Sequence, residues 1–265
     1  MSNKIYLFII ILYFSTTSAQ ECVSGDCMNG YGKYSYEDGS IYSGNFSEGK
    51  KNGDGIFKFS NGALYEGMYQ DDKINGFGSY IFGNGSKYQG EFKDGLNHGN
   101  GRFTYSNGAE YDGEFKNGKK NGYGVFTLEN DDQFAGTFED DLLQGSGFYN
   151  GSNGDSYNGN FKDGKYHGNG NFQFASGSQY IGEYRNGLKE GFGTFTINNQ
   201  SDIEKYKGEF KNDLFNGYGT YNFPNGSEYS GEFKDGLFHG EGNFSLEDGT
   251  NFKGIFQLGK LISQH

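Results

Sequence analysis

The chain has 265 residues, among them 48 glycines, 27 phenylalanines and 22 tyrosines, with one proline and no tryptophan. Its formal charge of −12 repels phosphate backbones, which excludes an ordinary nucleic-acid binder and disfavours anionic lipid head groups. Glycine at this level without a collagen period commonly accompanies disorder, but here the aromatic residues recur at fixed offsets, so an ordered array is expected after the amino terminus.

The first element in chain order is a targeting segment. Lys4 precedes an apolar run from Ile5 to Phe14, followed by Ser15-Thr16-Thr17-Ser18-Ala19. A charged start, a short apolar stretch and a small-residue cleavage site describe a secretory signal peptide over residues 1–19. The apolar run is shorter than the roughly 20 residues that span a bilayer, and the alternative is an uncleaved segment that anchors the chain to a membrane. Residues 20–28 read as a linker that holds the only cysteines, Cys22 and Cys27. In an oxidising compartment these two are a candidate disulfide. Four residues lie between them and no further cysteine or paired histidine follows, which argues against zinc.

From residue 29 to 265 the chain repeats itself. Tyr/Phe-x-Gly-x-Phe/Tyr occurs ten times, led by Tyr42, Tyr65, Tyr88, Tyr111, Phe134, Tyr157, Tyr180, Tyr206, Tyr229 and Phe252. The spacing is 23 throughout except for 26 between Tyr180 and Tyr206. A fixed period of this length means stacked units that bury their apolar faces only against neighbours. In the unit from Tyr88 to Glu110, Tyr88, Gly90 and Phe92 alternate with polar residues, Asp94-Gly95 gives a tight turn, and Gly99, Gly101, Phe103 and Tyr105 alternate again. Period-two alternation on both sides of a turn signal is a β-hairpin. The fold class is therefore all-β: an elongated, twisted, single-layer antiparallel meander of hairpins.

Each second strand opens with Gly-x-Gly before its aromatic residues. A lone sheet has no second sheet to bury against, so rings are expected to lie flat over glycines of neighbouring strands, where no Cβ intrudes. Twenty or so strands at about 4.8 Å predict a ribbon of roughly 95 Å before coiling. The longer spacing is expected to lengthen the turn at Asn198 to Lys205 by three residues, which bulges on one edge without breaking the array. The strand at Asn251 to Gln257 is expected to be the exposed carboxy-terminal edge, a candidate for self-association because unpaired backbone groups invite strand addition.

The motifs Asn75-Gly76-Phe77-Gly78-Ser79-Tyr80 and Tyr88-Gln89-Gly90-Glu91-Phe92-Lys93-Asp94-Gly95 resemble the MORN repeat, and the resemblance runs over about residues 29–258. Phe134 and Phe252 depart from the leading tyrosine, and Asp72, Asp141 and Asp213 replace the turn glycine. The resemblance implies an elongated β-ribbon that serves as an interaction or scaffold module, with lipid head-group binding as the alternative role. It supplies no catalytic domain.

No pattern marks catalytic, cofactor-binding or metal-binding residues. The Gly-x-Gly elements lack the helix start or Gly-Lys-Ser/Thr of a phosphate loop. His98, His167 and His239 are three repeats apart, too far to share a metal. The acidic groups at Asp71-Asp72, Asp131-Asp132 and Glu139-Asp140-Asp141 sit in short turns, not in a calcium loop. Asn-x-Ser sequons at Asn45, Asn84, Asn150, Asn199, Asn225 and Asn243 are candidate glycosylation sites in a secreted chain. The middle residue of Gly-x-Gly faces away from the rings and is aromatic at Tyr31, Phe77, Tyr123, Phe192 and Tyr218, a candidate docking stripe. The reading is a non-enzymatic protein-binding scaffold, secreted or lumenal. Peripheral phospholipid binding is the alternative, and an enzyme with an unrecognised site the remote one.

Overall fold

The computed structural model describes residues 20–199 and 202–265, so the signal-peptide expectation for residues 1–19 lies outside the described residues. The chain forms two compact units, Met1–Asn84 and Gly85–His265. The first unit holds β1 (Glu21–Gly25), β2 (Tyr31–Ser35), β3 (Ile41–Ser47), β4 (Lys50–Lys58), β5 (Leu64–Gln70) and β6 (Lys73–Ile81). The second begins with β7 (Lys87–Lys93), β8 (Leu96–Thr104), β9 (Glu110–Lys116), β10 (Lys119–Thr127), β11 (Gln133–Glu139), β12 (Leu142–Asn150), β13 (Ser156–Lys162) and β14 (Lys165–Gln173). It continues through β15 (Gln179–Arg185), β16 (Leu188–Asn199), β17 (Asp202–Lys211), β18 (Leu214–Asn222), β19 (Glu228–Lys234), β20 (Leu237–Ser245), β21 (Asn251–Gln257) and β22 (Lys260–Gln264). Within each unit every strand pairs antiparallel with the next in the chain, giving the expected meander of hairpins.

The turns follow from their residues. Asp94 and Gly95 both have positive φ (51° and 84°), as do Asn117 and Gly118 (51° and 83°). That is the mirror-image two-residue turn whose twist matches the flanking strands. At the other edge, Asn107 Oδ1 accepts the Ala109 N–H at 3.2 Å, and Ser86 Oγ accepts the Ser106 N–H at 3.1 Å, tying one repeat's turn to the next.

The core is a file of tyrosines. Tyr42, Tyr65, Tyr88, Tyr111, Tyr180, Tyr206 and Tyr229 are all fully buried. Each covers the glycine two residues on and that glycine's cross-strand partner: a Cβ added at Gly78 would lie 2.5 Å from the Tyr65 hydroxyl and 2.7 Å from its ring. The hydroxyl then donates to the carbonyl three residues on, as from Tyr65 to Met68 (3.0 Å) and from Tyr88 to Glu91 (2.8 Å). Edge-on packing completes the file, with Tyr88 4.9 Å from Phe92 and 5.0 Å from Phe115 of the following repeat. Phe134 has no hydroxyl to donate, and Leu143, only 4% exposed, fills the space over Gly136 instead.

Three expectations are corrected. Residues 20–28 are not a linker: β1 pairs with β2, because Cys22-Val23-Ser24 extends alongside Lys33 and Tyr34. The strand at Asn251 to Gln257 is not the edge, since Leu258-Gly259 closes one more turn and β22 pairs with β21. The 26-residue spacing leaves the array unbroken, and its three extra residues are not taken up as a longer turn. They lengthen β16 and β17, which stay in register through Asn199 opposite Asp202.

Two predictions follow from the tyrosine file. Gly78→Ala has no space for its methyl and should cost about 1–3 kcal/mol, lowering the unfolding midpoint, whereas Ser79→Ala beside it should shift the midpoint little; equal effects would contradict the ring-over-glycine contact. Burial also pushes the core phenols up, Tyr157 and Tyr229 to about 12, from an ordinary value of about 10. The folded chain thus favours the neutral phenol, so this stability is complete below pH ~10 and lost as pH rises from there through about 12. Most of the tyrosinate absorbance should appear together with loss of β-sheet circular dichroism; complete ionisation of the tyrosines in an intact sheet would contradict it.

Candidate interaction surface

The face opposite the rings begins with the first glycine of each Gly-x-Gly. Gly99, Gly122, Gly191, Gly217 and Gly240 have φ between 55° and 74°, and the register shifts beside them. That local bulge turns the next backbone N–H outward, and a glutamate on the adjacent strand accepts it. Glu91 accepts from Asn100 (3.0 Å), Glu114 from Tyr123 (3.0 Å), Glu183 from Phe192 (3.2 Å), Glu209 from Tyr218 (3.0 Å) and Glu232 from Glu241 (3.1 Å). A Cβ at Gly99 would meet the Glu91 carboxylate at 2.5 Å. The two glycines of the motif therefore have different tasks: the second lies beneath a ring, and the first admits a carboxylate.

The aromatic middle residues stand out from this face, with Tyr31, Phe77, Tyr123, Phe192 and Tyr218 between 58% and 64% exposed. Tyr31 (β2) and Phe77 (β6) belong to the first unit, and Tyr123 (β10), Phe192 (β16) and Tyr218 (β18) to the second. Only Phe192 and Tyr218 come together. They wall a trough of about 780 Å³ whose floor is Gly193, Gly208, Gly219, Gly231 and Gly242. These glycines are cross-strand partners in one unbroken row, so no side chain rises between the walls. The far wall is the row Thr194, Lys207, Thr220, Ser230, Asn243 and Lys253. Sequence reasoning missed this wall, although each member occupies the outward position next to a glycine of the same cross-strand row, which Gly254 continues beside Lys253.

The ring face carries a second constellation. Lys51, Lys120 and Lys189 lie among rings: the Lys51 ammonium is within 6 Å of Tyr36, Tyr42, Phe57 and Tyr69, and the Lys120 ammonium is 4.4 Å from the centre of Phe126. Burial pulls the Lys120 pKa down, and Asp141 opposes that shift. Asp72, Asp141 and Asp213, the residues that replace the turn glycine, each accept the backbone N–H of the corresponding lysine at 2.9 Å. Lys51–Asp72 and Lys189–Asp213 are also ion pairs, at 3.7 and 3.6 Å. Other repeats place Ile74, Tyr166 or Phe238 at the lysine position and keep glycine in the following turn (Gly95, Gly187, Gly259). The substitutions are coupled, which the sequence shows once the repeats are aligned on both positions.

The remaining candidates stay apart. Cys22 and Cys27 are disulfide-bonded with Cα atoms 6.0 Å apart. His98 and His239 lie opposite Glu91 and Glu232, and His167 opposite Asn160. Among the described residues no three His, Cys, Asp or Glu side chains form a metal-holding group, and no helix is long and apolar enough to cross a membrane. Asp71 and Asp140 pair with Lys50 and Lys119 at 3.5 and 3.3 Å, and Asp132 accepts the Ser152 N–H at 2.8 Å. Of the sequon asparagines, Asn45 and Asn243 sit in strands with their amides hydrogen-bonded, Asn150 and Asn199 end strands, and Asn84 and Asn225 occupy exposed turns.

The family model of the MORN repeat matches ten segments between residues 24 and 251. No curated protein matches the sequence. Among solved structures, the TCP10 domain of Danio rerio CPAP in complex with a peptide of Danio rerio STIL is similar at 10% identity, covering 86% of this chain and 96% of that one with a TM-score of 0.39. The TCP domain of Drosophila melanogaster SAS-4, in complex with a proline-rich motif of Ana2, is similar at 10% identity, covering 85% and 90%, with a TM-score of 0.28.

The lysine–aspartate coupling gives a prediction. Asp141→Gly should destabilise by about 2 kcal/mol, since it leaves the Lys120 N–H without its acceptor and the ammonium among the rings without its nearby carboxylate, and Lys120→Tyr should cost less, since the backbone N–H at position 120 still reaches Asp141. The double variant, which copies the Tyr166/Gly187 arrangement, should recover most of the loss in urea unfolding. Strictly additive losses would refute the coupling.

Proposed function

The chain belongs to the MORN repeat family, and on that footing we propose that it is a non-enzymatic binding module that captures an extended protein segment in the trough beside Phe192 and Tyr218. The observation that supports this reading is the trough itself. Two exposed rings beside an unbroken glycine row present apolar surface to a chain that needs close approach, with hydroxyl, amide and ammonium side chains on the far side. Exposed aromatic residues at the rim of a concave surface are typical binding anchors. The core is consumed by the ring file, so the outward face is left for partners. We further propose the secretory pathway as its compartment, on the strength of the apolar segment before Ala19 and the Cys22–Cys27 disulfide.

Phe192→Ser/Tyr218→Ser tests the binding site. The double variant should retain the β-sheet spectrum and unfolding midpoint, because neither ring packs in the core, yet lose at least ten-fold in affinity for partners recovered with the wild-type chain. Unchanged affinity with an intact fold would reject the trough as the binding surface.

A further inference from the structure

Resting on that reading, we infer that the segment the trough accepts is acidic, with two carboxylates about six residues apart along an extended backbone. The inference comes from the far wall. Thr194, Lys207, Thr220, Ser230, Asn243 and Lys253 are successive cross-strand partners on β16 to β21, so they form one straight row along the trough. Both lysines are exposed, and neither has an ion pair among the described residues.

Their freedom is informative in a chain of net charge −12. The cation in the same cross-strand row on an earlier strand, Arg102 of β8, is closed off by its cross-strand partner Asp112 and by Glu110. Lys207 instead faces Thr194 and Thr220, and Lys253 faces Asn243. On the opposite wall, Glu183, Glu209 and Glu232 are turned back onto the backbone N–H groups of Phe192, Tyr218 and Glu241. The trough therefore has two sides of different chemistry. One offers the Phe192 and Tyr218 rings with the exposed Glu241 side chain beyond them, and the other offers two free ammonium groups separated by hydroxyl and amide side chains.

Spacing then defines the ligand. Lys207 is on β17 and Lys253 on β21, four strand spacings apart, or about 19 Å. An extended chain advances about 3.3 Å per residue, so six residues span that distance. Even spacing puts both carboxylates on one side of the bound segment. Tyr218 (β18) then faces the stretch between the carboxylates, whose odd positions near it should be apolar, and Phe192 (β16) lies one strand beyond Lys207.

The test uses the full chain and a labelled probe, Gly-Glu-Val-Ser-Leu-Ser-Val-Glu-Gly, with versions in which both Glu are Gln or Lys, measured by fluorescence anisotropy across salt. The acidic probe should bind roughly ten-fold tighter than the Gln version at low salt, since exposed charge pairs each add a few-fold, and the advantage should shrink as salt rises. Lys207→Glu/Lys253→Glu should reverse the preference toward the Lys probe while keeping the β-sheet spectrum. Equal binding of all three probes that is lost in Phe192→Ser/Tyr218→Ser would overturn the acidic preference and leave the trough reading standing. Failure of every probe to bind, or acidic binding indifferent to the lysine reversal, would also overturn it. So would co-sedimentation with phosphatidylserine vesicles that the lysine reversal abolishes, which would assign the lysines to a membrane. Partner capture through Phe192 and Tyr218 remains a separate measurement, so the two readings fail independently.

Discussion

The structure depends on a tyrosine ring resting on two glycines. Tyr88 covers Gly90 and its cross-strand partner Gly101, and the hydroxyl ends on the Glu91 carbonyl. Each part requires the others. Without glycine the ring cannot lie down, without the hydroxyl a buried ring has no polar anchor, and without the ring the sheet face stays wet. The contact lets a sheet without a partner layer bury its apolar area, about 25 cal/mol for each Å² removed from water. Because rings such as Tyr88, Tyr111 and Tyr157 also pack edge-on to an aromatic ring of the next repeat (Phe115, Phe138 and Tyr184), stability passes between neighbours in the manner of a linear array.

Much of this was legible because the period of two and the period of 23 agree. The alternation around Tyr88, Gly90 and Phe92 gives the strand, Asp94-Gly95 gives the turn, and the repeat gives the meander. What strand parity hid was the difference between the two glycines of Gly-x-Gly. Alternation puts both beneath the rings, but Gly99, at φ 55°, sits in a bulge and admits the Glu91 carboxylate from the opposite face. The bulge inserts two residues, Gly99 and Asn100, between the pairs Gly90–Gly101 and Glu91–His98, and a pattern of sides cannot reveal that. The ends were obscure for a related reason. Glu21–Gly25 and Lys260–Gln264 lack the aromatic alternation of the other strands, and they are recruited by the open edges beside them.

The buried lysines mark where one repeat depends on another through charge. An ammonium among rings must have an opposite charge or acceptors close by. The turn of the next repeat provides it: Asp72, Asp141 and Asp213 stand at positions of positive φ that glycine fills elsewhere. Aspartate tolerates that backbone better than most residues, so the substitution costs little and gains the lysine's N–H and charge. Read one repeat at a time, Lys120 looks like surface charge and Asp141 like a weak turn residue. Their relation is visible only between repeats.

This arrangement separates the surface from the fold. A residue at the middle of Gly-x-Gly lends its backbone N–H to a glutamate and its side chain to solvent, so its identity is free. Asn100, Tyr123, Phe192, Tyr218 and Glu241 all satisfy the same backbone geometry. The outward face can therefore change from repeat to repeat without penalty in the core, and a site arises where favourable residues fall in adjacent repeats. Phe192 and Tyr218 fulfil that condition on the second unit, while Tyr123 stands three repeats away with Ser146 and Asn169 between. Because the glycine floor is common to the array, what distinguishes the trough is its walls, and substitutions there should alter recognition far more than stability.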